Sequence, residues 1–188
     1  MSEKLVFLEK AGASLLICIF LIFQVSFGSF CSHTSCIEYF TQKGVSAEAV
    51  CRVIEAVEKA GFKDIELALA VIYVESGFDP FAVGNDGERG LMQITNDALK
   101  EVVRFFPEIE YRPDKLFEIN YNVLVGCRYL EICSKRAKTY LPEIYSDIGH
   151  LANTVMFYKD GTKWRFDTFV YAKKVTSIYR QIRFTKWR

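Results

Sequence analysis

From Ile65 to Val74 every residue except Glu66 is apolar or aromatic, and this run constrains the fold more than any other stretch. At 100° per residue its apolar positions go almost all the way round, the pattern of a helix buried on every side. Such a helix must be wrapped by others. Asp64 supplies its N-cap. Its last turn carries Glu75, where a helix end ordinarily prefers Lys or Arg. The apolar neighbours Val71, Ile72 and Val74 predict a desolvated carboxyl, and the negative end of the helix adds to the effect. Both raise a carboxyl pKa, as a general acid requires. The alternative is a Glu held in an ion pair with Arg89 or a neighbouring lysine.

The rest of the chain reads as helix almost throughout, with no convincing strand alternation. Ser46 caps a helix to about Lys59, with Val50, Val53, Ile54 and Val57 on one face and Gly61 as its stop. Pro80, Gly84, Gly87 and Gly90 predict a loop with room for a short hairpin. Thr95 or Asn96 opens a helix to about Phe106, and Pro107 and Pro113 bound an irregular link. A long helix follows from Asn120 to about Lys138, with Val123, Cys127, Leu130 and Ser134 on one stripe. Another runs from Ser146 to about Tyr158, ended by Asp160-Gly161. Asp167 is expected to cap the last, which ends near Ile182. The fold class is mainly α, with one domain over 46–182, an arm over 29–45 and a basic tail over 183–188.

Residues 1–28 have the layout of a secretory signal peptide. Ala11 to Phe23 carries no charge, and the small residues Ser26 and Gly28 suit a peptidase. An uncleaved anchor is the alternative, because Ala11 to Phe30 supplies the roughly 20 residues a membrane span needs. Either reading places the body of the chain in the periplasm or cell envelope. Of the six cysteines, Cys18 lies in the apolar segment, and Cys31, Cys36, Cys51, Cys127 and Cys133 remain. Their odd number leaves at least one unpaired. Cys36 and Cys51 could bridge the arm to the first helix of the domain. Net charge is +1, which names no partner. From Lys159 onward nine Lys or Arg face only Asp160 and Asp167, a local +7. That excess suits either a solvated helix face or an anionic surface. His33 and His150 lie far apart in sequence, so no metal is expected; no cofactor and no nucleic-acid partner are expected either.

Two motifs surround Glu75. They are Glu75-Ser76-x-Phe78-x-Pro80-x-Ala82 and Gly87-x-x-Gly90-Leu91-Met92-Gln93-Ile94. Together they resemble the first two motifs of the lytic transglycosylase domain of the lysozyme-like superfamily (the SLT type). The stretch Asn122-Val123-x-x-Gly126-x-x-Tyr129-Leu130 resembles a later helix of that family. Asp167-Thr168-x-x-Tyr171-x-x-x-Val175-x-x-x-Tyr179 resembles its last helix, which usually opens Glu-Thr. The resemblance covers roughly residues 62–182 and implies a lysozyme-like fold with Glu75 on a central helix.

It also implies an activity: cleavage of the bond between N-acetylmuramic acid and N-acetylglucosamine in peptidoglycan. Glu75 would serve as the one acid and base, leaving a 1,6-anhydromuramyl end. Ser76, Met92, Gln93, Tyr158 and Tyr171 would bind substrate, although Met92 and Tyr171 could equally fill a core. A two-carboxylate hydrolase would need a second acid about 5 to 9.5 Å away. Asp79, Asp86 and Glu88 are its candidates, and Asp79 matches a variable family position. The third family motif, Ala-Tyr-Asn-Ala-Gly, stands here as Phe157-Tyr158-Lys159-Asp160-Gly161. Tyr158 can still orient the acid. Lys159 replaces a sugar-binding Asn and could bring a positive charge to Glu75. That departure motivates one alternative, a non-catalytic peptidoglycan-binding protein; within the enzyme class the alternative is a muramidase. The expected partners are glycan strands and, given the small size, an envelope-spanning secretion or assembly machine.

Overall fold

The computed structural model describes residues 33–140, 147–161 and 166–185. The expected signal or anchor, Cys18, Cys31, Ser146 and the end of the tail lie outside the described residues. Contacts divide the chain into two units, Met1–Thr34 and Ser35–Arg188. Seven α-helices are described: α1 (Thr34–Gln42), α2 (Ala47–Lys59), α3 (Ile65–Ser76), α4 (Asn96–Phe105), α5 (Ile119–Tyr140), α6 (Asp147–Asp160) and α7 (Phe166–Thr185). A 3-10 turn, Pro113–Phe117, precedes α5. No strand is present among the described residues, so the mainly α expectation holds. Isolated antiparallel bridges, Val83 to Arg89 and Arg89 to Ile94, are the remnant of the expected hairpin. No described helix is long and apolar enough to cross a membrane.

Local chemistry accounts for the helix starts. The Ser46 hydroxyl accepts from Ala49 N–H at 3.2 Å, the Asp64 carboxylate from Leu67 N–H at 3.2 Å, and the Thr95 hydroxyl from Ala98 N–H at 3.1 Å. Each cap is worth about 1 kcal/mol. α3 is buried continuously from Leu67 to Ile72, with α2 and α7 packed against it. α5 packs against α2, α4, α6 and the 3-10 turn. The C-terminus of α3 closes on Gly77 at φ 62, whose N–H donates to Tyr73 O. Phe78 follows at φ 71, a left-handed conformation that costs a non-glycine residue roughly 1–2 kcal/mol. Its ring is buried against Phe40 at 5.0 Å between centroids. Full burial of such a ring contributes about 1.5–3 kcal/mol, enough to offset the strain.

Two expectations need correction. The Cys36–Cys51 bridge is not formed, and Cys36 is fully buried. Asp167 is not the N-cap of the last helix. It lies inside the first turn of α7, where its carboxylate accepts from Thr168 N–H. α6 ends at Asp160 with Gly161 following at φ 59, as the Asp160-Gly161 stop led one to expect, and Lys159 lies in its last turn. A cation there is favourable, because it faces the negative end of the helix.

Gly126 of α5 lies against Met92, and a Cβ at this position would overlap the Met92 thioether. Gly126→Ala would gain about 1 kcal/mol of helix propensity. Against that, it would overpack the contact at about 1–3 kcal/mol. We expect a net loss of about 1 kcal/mol, read as a lower denaturation midpoint. Adding Met92→Ala should cost less than the two single changes summed, because the second change removes the clash.

Candidate active site

Glu75 reaches a cleft of about 610 Å³ between the C-terminus of α3, the 84–95 loop and the end of α6. Its side chain is only 7% exposed. Burial raises its pKa above the ordinary carboxylate value. The Lys159 ammonium, 3.6 Å from Glu75 Oε2, opposes that shift, as does Tyr171; Glu88 adds to it slightly. Desolvation is the largest of these effects. The carboxyl is thus biased toward holding a proton while a cation stands next to it.

The ion-pair alternative met in the sequence is therefore half right. Arg89 is not the partner, since its guanidinium donates to Pro113 O at 3.2 Å. Lys159 is the partner, 40% exposed and also 5.4 Å from the centre of the Tyr171 ring. The Tyr171 hydroxyl is buried and meets no partner at normal hydrogen-bond geometry. It nonetheless lies close enough to Glu75 to favour the carboxylate. In return, burial first and Glu75 second push the Tyr171 phenol well above its usual range.

Opposite the acid, the backbone from Arg89 to Met92 is tied down carbonyl by carbonyl. Asn122 Nδ2 donates to Arg89 O at 2.9 Å and to Leu116 O at 2.7 Å. The Asn122 carbonyl accepts from Met92 N–H at 2.8 Å. Gln93 Nε2 donates to Gly90 O at 2.9 Å and Ala82 O at 3.1 Å. The Ser76 hydroxyl donates to Leu91 O at 2.8 Å, and the Tyr158 hydroxyl to Met92 O at 2.7 Å. α3, α5 and α6 each send one side chain into the same segment. Gln93 itself sits at φ 47, a strained conformation that these bonds maintain.

This arrangement sorts the residues expected to bind substrate. Gln93, Tyr158 and Glu75 line the cleft together. Ser76 lies beside the acid, but its hydroxyl bonds to backbone carbonyls. The Met92 side chain is fully buried against Gly126. It cannot offer its thioether to a sugar ring unless the loop moves. Tyr158 was expected to orient the acid; its hydroxyl instead anchors Met92 O, and its ring packs on Tyr129 at 5.3 Å.

Asn122 is the residue to which sequence reading gave no role. The signal was present, as a carboxamide among apolar residues at the start of α5 that is 1% exposed in the structure. Of the second-carboxylate candidates, Asp86 and Glu88 line the cleft. Asp79 does not line it, and instead accepts from Phe81 N–H at 2.8 Å. Among the described residues, the cleft carboxylates do not converge into a group able to hold a metal ion.

The family described as Transglycosylase SLT domain matches residues 52–174. A membrane-bound lytic murein transglycosylase F from Desulfosudis oleivorans is 36% identical over 76 residues, which is 40% of this chain and 14% of that protein. The chain therefore aligns with only a small part of that relative. A crystal structure of an inactive mutant of the lytic transglycosylase Slt from Pseudomonas aeruginosa superposes with a TM-score of 0.49 at 17% identity. It covers 69% of this chain and 22% of the other.

Proposed function

Because the chain belongs to the transglycosylase SLT-domain family, we propose that it cleaves the β-1,4 bond between N-acetylmuramic acid and N-acetylglucosamine in peptidoglycan, with Glu75 as acid and base. One observation carries the reading. The Glu75 carboxyl is buried at the end of α3, lines the cleft, and is held above its ordinary pKa by desolvation. A carboxyl whose pKa is raised in this way is better able to give a proton to the departing glycosidic oxygen than an exposed one. The positive charge that develops at the sugar is met by the substrate's own N-acetyl carbonyl. The Glu75 carboxylate then takes the proton of the 6-hydroxyl, which closes on the anomeric carbon and leaves a 1,6-anhydromuramyl end. Gln93 and Tyr158 would contact the sugars from the cleft wall. Ser76, Met92 and Tyr171 would act from behind it, by holding the loop and the acid.

A muramidase is the second reading, favoured by Glu88, which shares the cleft and is close enough to influence Glu75. A second carboxylate can activate water or shield the sugar cation. Digestion of purified sacculi followed by mass spectrometry separates the two, since the anhydro product is one water lighter. Anhydro-muropeptides that disappear with Glu75→Gln support the proposal. Hydrolysed ends alone overturn it in favour of the muramidase. Sacculi that bind the protein but stay intact favour the non-catalytic alternative. Residues 1–28 would deliver the domain to the envelope as a signal or an anchor, there to open the wall for a larger assembly. Cell fractionation with and without those residues tests the delivery.

A further inference from the structure

Lys159 stands where the related family motif has an Asn, and although exposed it lines the cleft beside Glu75. The last turn of α6 aims it into the cleft. Its ammonium is 3.6 Å from Glu75 Oε2, and the Tyr171 face below holds it at 5.4 Å. Yet it is 40% exposed while Glu75 is 7% exposed, so the cation borders the space that substrate enters and the acid lies behind it. For Glu75 to act as an acid it must carry a proton, and Lys159 then loses its counter-charge. An ammonium that has lost its nearest counter-charge attracts an anion. The reaction proposed above puts a distinctive group beside the scissile bond: the lactyl ether of the muramyl residue, which ends in a carboxylate when no peptide is attached.

We propose that Lys159 is a specificity-determining residue that exchanges partners, pairing with Glu75 in the free protein and with the lactyl carboxylate of a peptide-free muramyl residue when substrate binds. The inference rests on the peptidoglycan reading, whose substrate class it narrows to glycan strands stripped of their peptides. The exchange couples binding to protonation. Once Lys159 turns to the ligand, the Glu75 carboxylate loses the cation that favoured it and gains a negative neighbour, so it takes up a proton. The other groups facing Glu75 are Glu88 from the loop, Tyr158 from α6 and Tyr171 from α7. Asp86, Asp97 and Asp160 line the same cleft. None of them supplies a positive charge, so among the described residues the discrimination falls to Lys159.

The test needs no turnover. Two disaccharides differ only in the lactyl ether: N-acetylglucosaminyl-N-acetylmuramic acid, which lacks the scissile bond, and the neutral di-N-acetylchitobiose. Calorimetric titration of the full chain should give an affinity about fivefold higher for the muramyl sugar, the scale of a part-exposed ion pair. Repeating the titration in two buffers of different ionisation enthalpy should show proton uptake with that sugar and not with chitobiose. K159R should keep the preference, and K159Q should bind both sugars alike. Equal preference in K159Q and wild type would overturn the assignment, and an affinity gain without proton uptake would overturn the exchange. If neither sugar binds, the peptidoglycan reading falls, and this inference falls with it.

Discussion

Replacing Glu75 with glutamine is expected to abolish release of anhydro-muropeptides, with a rate loss of about a thousandfold or more. Loss of a general acid costs 10²–10⁴-fold, and here one residue serves as acid and then as base. The same variant should be more stable than the wild type at neutral pH. Glu75 titrates in the folded protein above its ordinary value, chiefly through burial. Ionising it therefore costs the folded state more than the unfolded one. The sign follows directly. Above the folded pKa the wild type carries the full penalty, and the penalty fades as pH falls through that pKa toward the unfolded value. Glutamine has no charge to bury, so its advantage should appear at neutral pH and shrink on acidification. Thermal unfolding of both proteins across that range would check it. A glutamine variant less stable than wild type at every pH would mean that the ion pair with Lys159 outweighs burial, and the acid assignment would lose its physical basis.

The second large effect is expected at Gly90, where alanine should cost about 4 kcal/mol. Gly90 sits at φ +73, and a Cβ there would overlap Leu116 O and Asn122 Nδ2. The left-handed backbone alone costs a side chain roughly 1–2 kcal/mol. The overlap adds more, because it displaces Asn122 from Met92 N–H, Arg89 O and Leu116 O. Each buried group left unpaired costs about 1–3 kcal/mol. Total stability of a domain is about 5–15 kcal/mol, so a drop in melting temperature of about 10 °C is expected. Gly87 is the control. It has φ +82 but nothing within 4 Å of a Cβ, so alanine there should show the backbone cost alone. Equal losses at the two positions would show that the Asn122 ties do not hold the loop.

Much of this protein was legible before any coordinates. The caps at Ser46 and Asp64 lie where the sequence signals put them, and Thr95 is one of the two candidates offered for the next, because capping joins residues three apart and needs no tertiary partner. The all-round apolar pattern of Ile65–Val74 required a helix enclosed by others, and α3 is that helix. Glu75 stood out as a carboxylate that breaks the local rule for a helix end. Where short-range cues were ambiguous the reading slipped, as at Asp167, whose carboxylate bonds within the first turn rather than before it.

The side-chain partners within the cleft belong to the tertiary structure alone. Met92 fits a sugar-stacking motif by sequence, but a glycine on α5 leaves a hole that its thioether fills. Ser76 and Tyr158 resemble cleft hydroxyls, yet both are turned onto carbonyls of the Arg89–Met92 backbone. Whether Lys159 would meet Glu75 depended on how the end of α6 approaches the end of α3. Sequence by itself determined which segments are helical, which helix is buried and which carboxylate is out of place, since periodicity, caps and burial patterns act over a few residues. Only the packing of helices far apart in the chain decided that the acid has a cation 3.6 Å away, because that distance is set by how the helices are stacked and not by any residue's neighbours in sequence.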